Sequence, residues 1–352
     1  MARVVEPAVA ASALRIGELS EMDAARWDRF VEASPDGTFF HLSGWREVIS
    51  KAFGHRTHFF FADHGGEVVG VLPLVHVRSA LFGNALISTP FCVYGGAVAE
   101  SQQAREALEQ AAVQRAHELR VDYLELRNRE NRPGWPTKEL YVTFRKEIFA
   151  DEEENLKAIP RKQRAMVRKG IQAGLASEID ADIDRFFTAY ATSVRNLGTP
   201  VFPRRYFALL KKVFGERCEL LIVSKGEQTV CAVMNFYFRN EVLPYYGGGG
   251  DMARQLKGND FMYWEVMRRA AQRGVGVFDY GRSKKDTGSY HFKRNWGFEP
   301  VPLFYQYHLV KMTRIPDVNP ANPKYRLFIS AWKRLPLPLA NALGPLLSRS
   351  LG

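Results

Sequence analysis

The chain has 352 residues, 46% of them hydrophobic and 25% charged, with a formal net charge of +11. That length is long for one hydrophobic core and comfortable for two domains, and the composition is that of an ordinary globular protein. No stretch reaches the run of about 18 apolar residues that a bilayer-spanning helix needs, and residues 1–14, interrupted by Glu6 and Pro7, do not read as a secretory leader. A cytoplasmic location is expected. The excess of positive charge favours an anionic partner, whether nucleic acid, a phospholipid surface or a phosphorylated substrate. Cys92, Cys218 and Cys231 sit in apolar stretches without metal-ligand spacing. They read as buried, reduced thiols, and neither a metal site nor a tightly bound cofactor is expected.

In chain order, Trp27–Glu32 and Trp45–Phe53 carry helical periodicity. Thr57–Ala62 and Val68–Val77 alternate as strands around His64-Gly65-Gly66 and form a hairpin. Phe91-Cys-Val-Tyr-Gly-Gly-Ala97 follows, then a long helix over Gln102–Leu119 and a strand over Tyr123–Arg127. The second half opens on helices over Glu153–Ala173, Ile183–Asn196 and Arg204–Phe214. A second hairpin joins Glu219–Ser224 to Val230–Phe238. Then come Leu243-Pro-Tyr-Tyr-Gly-Gly-Gly-Gly250, a helix over Asn259–Arg273 and a strand over Val275–Tyr280. Each half thus runs helices, hairpin, a Tyr-Gly-Gly strand end, a helix, and a strand closing near an arginine, Arg127 or Arg282. The expected division is 12–140 and 141–312, with a proline-broken basic and apolar tail over 313–352. That tail either packs over the first domain or rests on an anionic membrane surface.

This unit resembles the GNAT acyltransferase fold. The resemblance implies an α+β protein of tandem GNAT-like domains, each a mixed, mostly antiparallel sheet flanked by helices. In that fold the sheet splays beside the strand feeding the long helix, and an acyl donor lies in the splay. Tyr246, Gly247, Gly248 and Asn259 occupy the corresponding positions. Residues 254–258 match the usual pyrophosphate-binding run only in part. Three further stretches, Phe40 to Trp45, Ile159 to Gly174, and Tyr290-His-Phe-Lys293 with Trp296-Gly-Phe298, resemble FemABX-type aminoacyltransferases. Those enzymes move an amino acid from aminoacyl-tRNA onto a lipid-linked cell-wall precursor. The wording Asp279-Tyr-Gly-Arg-Ser-Lys284 through Phe292-Lys-Arg-Asn-Trp-Gly297 is similar to FemAB-like proteins of exosortase/PEP-CTERM systems, which implies a role in the envelope or exopolysaccharide.

The chemistry expected is attack of an amine on an ester or thioester carbonyl. It needs orientation of the reactants and stabilisation of an oxyanion. The donor is aminoacyl-tRNA or acyl-CoA, used as a co-substrate. Asp279, at a strand end, is the candidate for positioning the amine, and equally a candidate cap of the following turn. His291, an imidazole suited to proton transfer, is a second candidate, or a packed surface histidine. The resemblance makes Lys293, with Tyr290 and Phe292 around it, a binder of a substrate phosphate. Arg164 and Arg168 are expected to bring charge to a cleft between the domains, and Arg127 and Arg282 to hold the acceptor or a carboxylate. The anticipated acceptor is an anionic, lipid-linked envelope precursor, with tRNA and the inner membrane as further partners. A CoA-dependent acetyltransferase of an amino sugar or small amine is one alternative, and a non-catalytic binding module is another.

Overall fold

The computed structural model describes residues 13–79, 83–316 and 323–350. The segments 1–12, 80–82, 317–322 and 351–352, which include parts of the anticipated first domain and tail, lie outside the described residues.

The first unit runs β1 (Arg15–Glu18), α1 (Ala24–Ala33), α2 (Gly44–Phe53), β2 (Arg56–His64), β3 (Glu67–Ser79), β4 (Gly83–Ser88), β5 (Val98–Ala99), α3 (Gln102–Glu118), β6 (Tyr123–Asn128) and β7 (Thr137–Lys138). The chain then enters the second unit with β8 (Tyr141–Glu147), α4 (Glu152–Ala158), α5 (Arg161–Gln172), β9 (Ala176–Asp180), α6 (Asp184–Leu197) and α7 (Arg204–Phe214). It continues through β10 (Cys218–Lys225), β11 (Gln228–Phe238), β12 (Glu241–Gly249), α8 (Asp251–Gln255), α9 (Gly258–Gln272), β13 (Val277–Asp279), β14 (Ser283–Lys284), α10 (Gly288–Asn295) and β15 (Pro300–Pro302). The last elements are β16 (Phe304–Leu309), α11 (Pro323–Trp332) and α12 (Leu337–Ser348).

Two sheets result, ordered β1-β2-β3-β4-β6-β16-β7 and β14-β8-β13-β12-β11-β10-β9. Each is antiparallel except for one pair, β4 with β6 and β12 with β13. The anticipated boundary at 140/141 falls between β7 and β8, which belong to different sheets. The far boundary is not a simple cut: β16 returns from the second unit and pairs antiparallel with β6, Tyr305 opposite Arg127. The units are therefore interlocked rather than consecutive.

Strand alternation explains the layers. Phe59, Phe61, Val71 and Val75 point to one face of the first sheet, and Phe60, Ala62, Leu72 and Leu74 to the other. The second sheet does the same, with Leu220, Ile222, Met234 and Phe236 against Leu221, Val223, Cys231 and Val233. The facing sides share one core with α1, α2, α6 and α7. There Phe39 stacks on Phe236 (4.4 Å) and packs on Phe214 (4.6 Å), and Trp45 donates its indole N–H to the Phe39 carbonyl (3.0 Å). Each such ring, removed from water, stabilises by roughly 2–3 kcal/mol, so the units are joined by core and not by a linker.

The single helix expected over Glu153–Ala173 is two. Pro160 cannot donate a hydrogen bond and holds Ile159 extended (φ −74°, ψ 130°). The tail does not drape over the first unit. α12 buries Ala340, Gly344 and Ser348, and the Ser348 hydroxyl donates to the Val201 carbonyl (3.0 Å) in the second unit. Toward the first unit, the Arg349 carbonyl bonds His55 Nε2 (2.6 Å) and the Pro316 carbonyl accepts from Lys138 (2.9 Å).

Candidate active site between the units

Parallel strands with diverging ends leave backbone and side chains free to meet a ligand. In the second unit β12 and β13 pair only at Glu241–Val277 and Val242–Phe278, then separate. Asp279 stands at the opening, 1% exposed. It accepts hydrogen bonds from the Tyr94 hydroxyl (2.9 Å), the Thr143 hydroxyl (3.3 Å) and the Gly281 N–H (2.7 Å), and the Arg145 guanidinium lies 3.5 Å away. Burial, reinforced by the charge of Asp279, raises the Tyr94 pKa far above the usual phenol value. Tyr94 therefore remains protonated at neutral pH and gives its proton to Asp279.

Tyr94 comes from the first unit, on a loop that is held hard. Thr89 and Phe91 adopt φ of 36° and 70°, a region that residues with a Cβ rarely occupy. The loop's carbonyls are taken up from outside: Tyr245 donates to Phe91 (2.9 Å), Arg127 to Cys92 (2.7 Å) and Tyr305 to Val93 (2.8 Å). Gly95 and Gly96 both donate to the Arg127 carbonyl. A Cβ on Gly96 would meet Asn128 Oδ1 at 1.9 Å. The His41 ring bonds the Gly96 carbonyl through Nε2 (2.9 Å) and Thr38 through Nδ1 (2.8 Å). Because a carbonyl can only accept, Nε2 carries the proton. Burial pushes the His41 pKa down to about 4, so the ring is neutral.

Beside this junction opens a cleft of about 270 Å³, walled by both units. Tyr94, Thr143 and Arg145 line it, with Arg105, Arg127, Arg129 and Arg132; the acids among its lining are Asp36 and Glu130. Asp279 is not itself on the wall and acts through Tyr94, Thr143 and Arg145. The excess of guanidinium groups suits a phosphate-bearing or otherwise anionic ligand. A second hollow, of about 440 Å³, borders Gly250 and Met252 at the end of β12. It carries Asp184 and Asp251, and its Arg185 is bonded to Glu178 and Ser224. Phosphate fits it less well.

The sequence candidates distribute unevenly. Lys293 is 9% exposed and donates to the carbonyls of Gly281 (3.0 Å) and Arg282 (3.1 Å), so it clamps the strand-end loop rather than facing a phosphate. Burial, opposed by the Asp279 charge, lowers its pKa to about 7. Arg282 bonds the Tyr305 hydroxyl (3.0 Å) and lies over the Tyr141 ring (4.6 Å). Arg127, 2% exposed, is paired with Glu125 (2.8 Å), leaving it the carboxylate-holding member of the two. Tyr290 packs on Phe144, and Phe292 on Tyr263 and Trp296. His291 is exposed on α10 against the Tyr290 ring, away from Asp279 and the cleft lining. Arg164 and Arg168 do not bring charge to the cleft. They ride on α5, which packs on α9 through Gln163–Asp260 and Gly170 against Phe261. Tyr246 is buried and bonded to the Tyr206 hydroxyl (2.8 Å). A Cβ on Gly247 would meet Val233 and one on Gly248 would meet Ser193, so protein fills the space beside that strand. Asn259 is the second residue of α9, whose cap is Lys257.

Sequence reasoning missed Tyr94 as a site residue, together with Thr143, Arg145, Arg129 and Arg132. The spacing Arg127-x-Arg129-x-x-Arg132 directly after a strand was a readable signal for the arginines.

Comparison with known proteins agrees with this architecture. Residues 156–294 match the family model described as an acetyltransferase (GNAT) domain. No curated protein matches the chain in sequence. The crystal structure of FemX superposes at a TM-score of 0.63 with 15% identity, over 90% of this chain and 100% of that one. The C-terminal domain of a putative lysylphosphatidylglycerol synthetase from Agrobacterium fabrum gives 0.55 with 12% identity, over 81% and 91%. A tandem GNAT protein of the clavulanic acid biosynthesis pathway gives 0.53 with 13% identity, over 86% and 100%. The fold is a tandem GNAT fold, α+β, with each mixed sheet flanked by helices.

Proposed function

We propose that this chain is a FemAB-like N-acyltransferase that moves an aminoacyl or acyl group onto an amine of a phosphate-bearing envelope or exopolysaccharide precursor. The observation that carries this reading is the arginine-lined cleft opening beside the Asp279–Tyr94–Thr143 junction at the splayed end of β12 and β13. Arg105, Arg129 and Arg132 hold the acceptor's phosphates, and the two hydroxyls and Arg145 meet the reacting centre. The neutral amine attacks the acyl carbon and the ester or thioester bond breaks. The amine's proton passes to solvent or the leaving group, so a strong base is not required. Tyr94, whose single hydroxyl proton goes to Asp279, turns its oxygen to an N–H of the attacking amine, and Arg145 donates to the developing oxyanion. Asp279 fixes the direction of both hydroxyls.

The likeness to FemX and to a synthetase whose name joins a lysyl group to phosphatidylglycerol supports aminoacyl transfer to a lipid-linked acceptor. The GNAT acetyltransferase match over 156–294 favours a CoA ester as donor, acting without a tightly bound cofactor. Calorimetry of the purified protein against acetyl-CoA, longer acyl-CoAs and charged tRNA separates the two. Binding of charged tRNA, with a steep dependence on salt, supports the FemAB-like reaction. Binding of CoA esters alone moves the chain to amino-sugar or small-amine acylation. Binding of neither donor rejects the transferase reading in favour of a binding module.

A further inference from the structure

The two tail helices carry apolar side chains on the outside. On α12, Leu339, Leu343 and Leu346 are 46%, 40% and 67% exposed. Their spacing puts all three on one helix face. The opposite face, Ala340, Gly344 and Ser348, is the buried one. On α11, Leu327 is 80% and Phe328 40% exposed, and Leu197 at the end of α6 is 67% exposed. This exposure is not that of a loose tail. The space beside Gly344 is filled by Val201 and that beside Gly198 by Ile329, while Arg195 bonds the Lys333 carbonyl (3.3 Å). The hairpin is fixed from within and turns its leucines outward.

Beyond Asp317 the tail's own charges are of one sign. Residues 318–352 contain Lys324, Arg326, Lys333, Arg334 and Arg349 and neither Asp nor Glu. Lys333 and Arg334, in the link between α11 and α12, and Arg349 at the end of α12 are exposed. No helix among the described residues is long and apolar enough to cross a membrane. Exposed leucines and an aromatic, bracketed by cations without any acid, are complementary to the headgroup region of an anionic bilayer. An acidic protein surface would satisfy the cations but not the leucines, and a second copy would set cation against cation.

We infer that the α11–α12 hairpin seats this protein on an anionic membrane surface, leucines toward the acyl chains and cations toward the headgroups. The inference stands independently of the acyl-transfer reading.

Co-sedimentation of the full-length chain with phosphatidylglycerol/phosphatidylcholine vesicles and with phosphatidylcholine vesicles tests it. Two variants accompany the wild type, Leu339→Asn/Leu343→Asn/Leu346→Asn and Lys333→Glu/Arg334→Glu. Both alter exposed positions, and unchanged melting temperatures establish that they fold. The expected result is binding to the anionic vesicles only, weakened at least tenfold in each variant. Equal binding to both vesicle types, or undiminished binding by the leucine variant, overturns the inference. Failure of the wild type to bind also overturns it, and light scattering that finds a dimer split by the leucine substitutions then assigns the face to a second copy.

Discussion

The two parallel strand pairs make the most instructive comparison in the molecule. β4 and β6 in the first unit, and β12 and β13 in the second, occupy the same place in the repeat. Past Ile87–Glu125 the first pair is closed by its own chain: Ser88 Oγ accepts from Arg127, and Gly95 and Gly96 fold back onto the Arg127 carbonyl. Past Val242–Phe278 the second pair stays open and receives Tyr94 from the first unit. One unit has filled its splay and lends the resulting loop to the other, and the cleft lies between them, walled by both. The same layout thus yields a structural end and a reactive end.

Substitutions separate the two ends. Arg127→Met leaves the Glu125 carboxylate, 7% exposed, with only the Tyr307 hydroxyl (2.9 Å). Loss of one partner of a buried pair costs about 3–5 kcal/mol, measured as a fall in the denaturant midpoint. Replacing both members, Glu125→Leu with Arg127→Met, recovers most of that loss. Next in size is a pH effect at the loop's anchor. His41 titrates near 4 when folded against 6.5 when unfolded. Between those values the unfolded chain binds a proton that the folded chain does not, so stability falls as pH drops from 6.5 toward 4, by up to about 3 kcal/mol. Stability curves of His41→Gln are flatter over that window. Gly96→Ala forces a Cβ into Asn128 and costs about 1–3 kcal/mol. Gly288→Ala, at the first residue of α10 and with nothing near its Cβ, changes stability by less than about 0.5 kcal/mol.

The tandem order of elements was legible because helix and strand periods survive in each half, and both Tyr-Gly-Gly strand ends mark positions where the backbone is crowded. Asp279 was legible because an acid closing an apolar strand stands out. Its environment was not, since Tyr94 and Thr143 reach it from the other unit and from β8. The return of β16 to the first sheet was invisible because element order carries no pairing information. Charge misled where it was densest: the basic residues of 161–169 ride on α5 outside the cleft lining, while the sparser arginines after β6 line the cleft. His291 and Lys293 show the same limit, since adjacency in a motif does not tell which side chain turns outward and which one clamps carbonyls.

The most direct measurement is single-turnover transfer of a labelled acyl group from the donor that calorimetry identifies, comparing wild type with Tyr94→Phe, Asp279→Asn and His291→Ala per folded molecule. The account predicts a loss of about 100-fold for the first two, with donor affinity unchanged, and a rate near wild type for His291→Ala. Full rates in Tyr94→Phe and Asp279→Asn would contradict it and move the chemistry away from the cleft between the units.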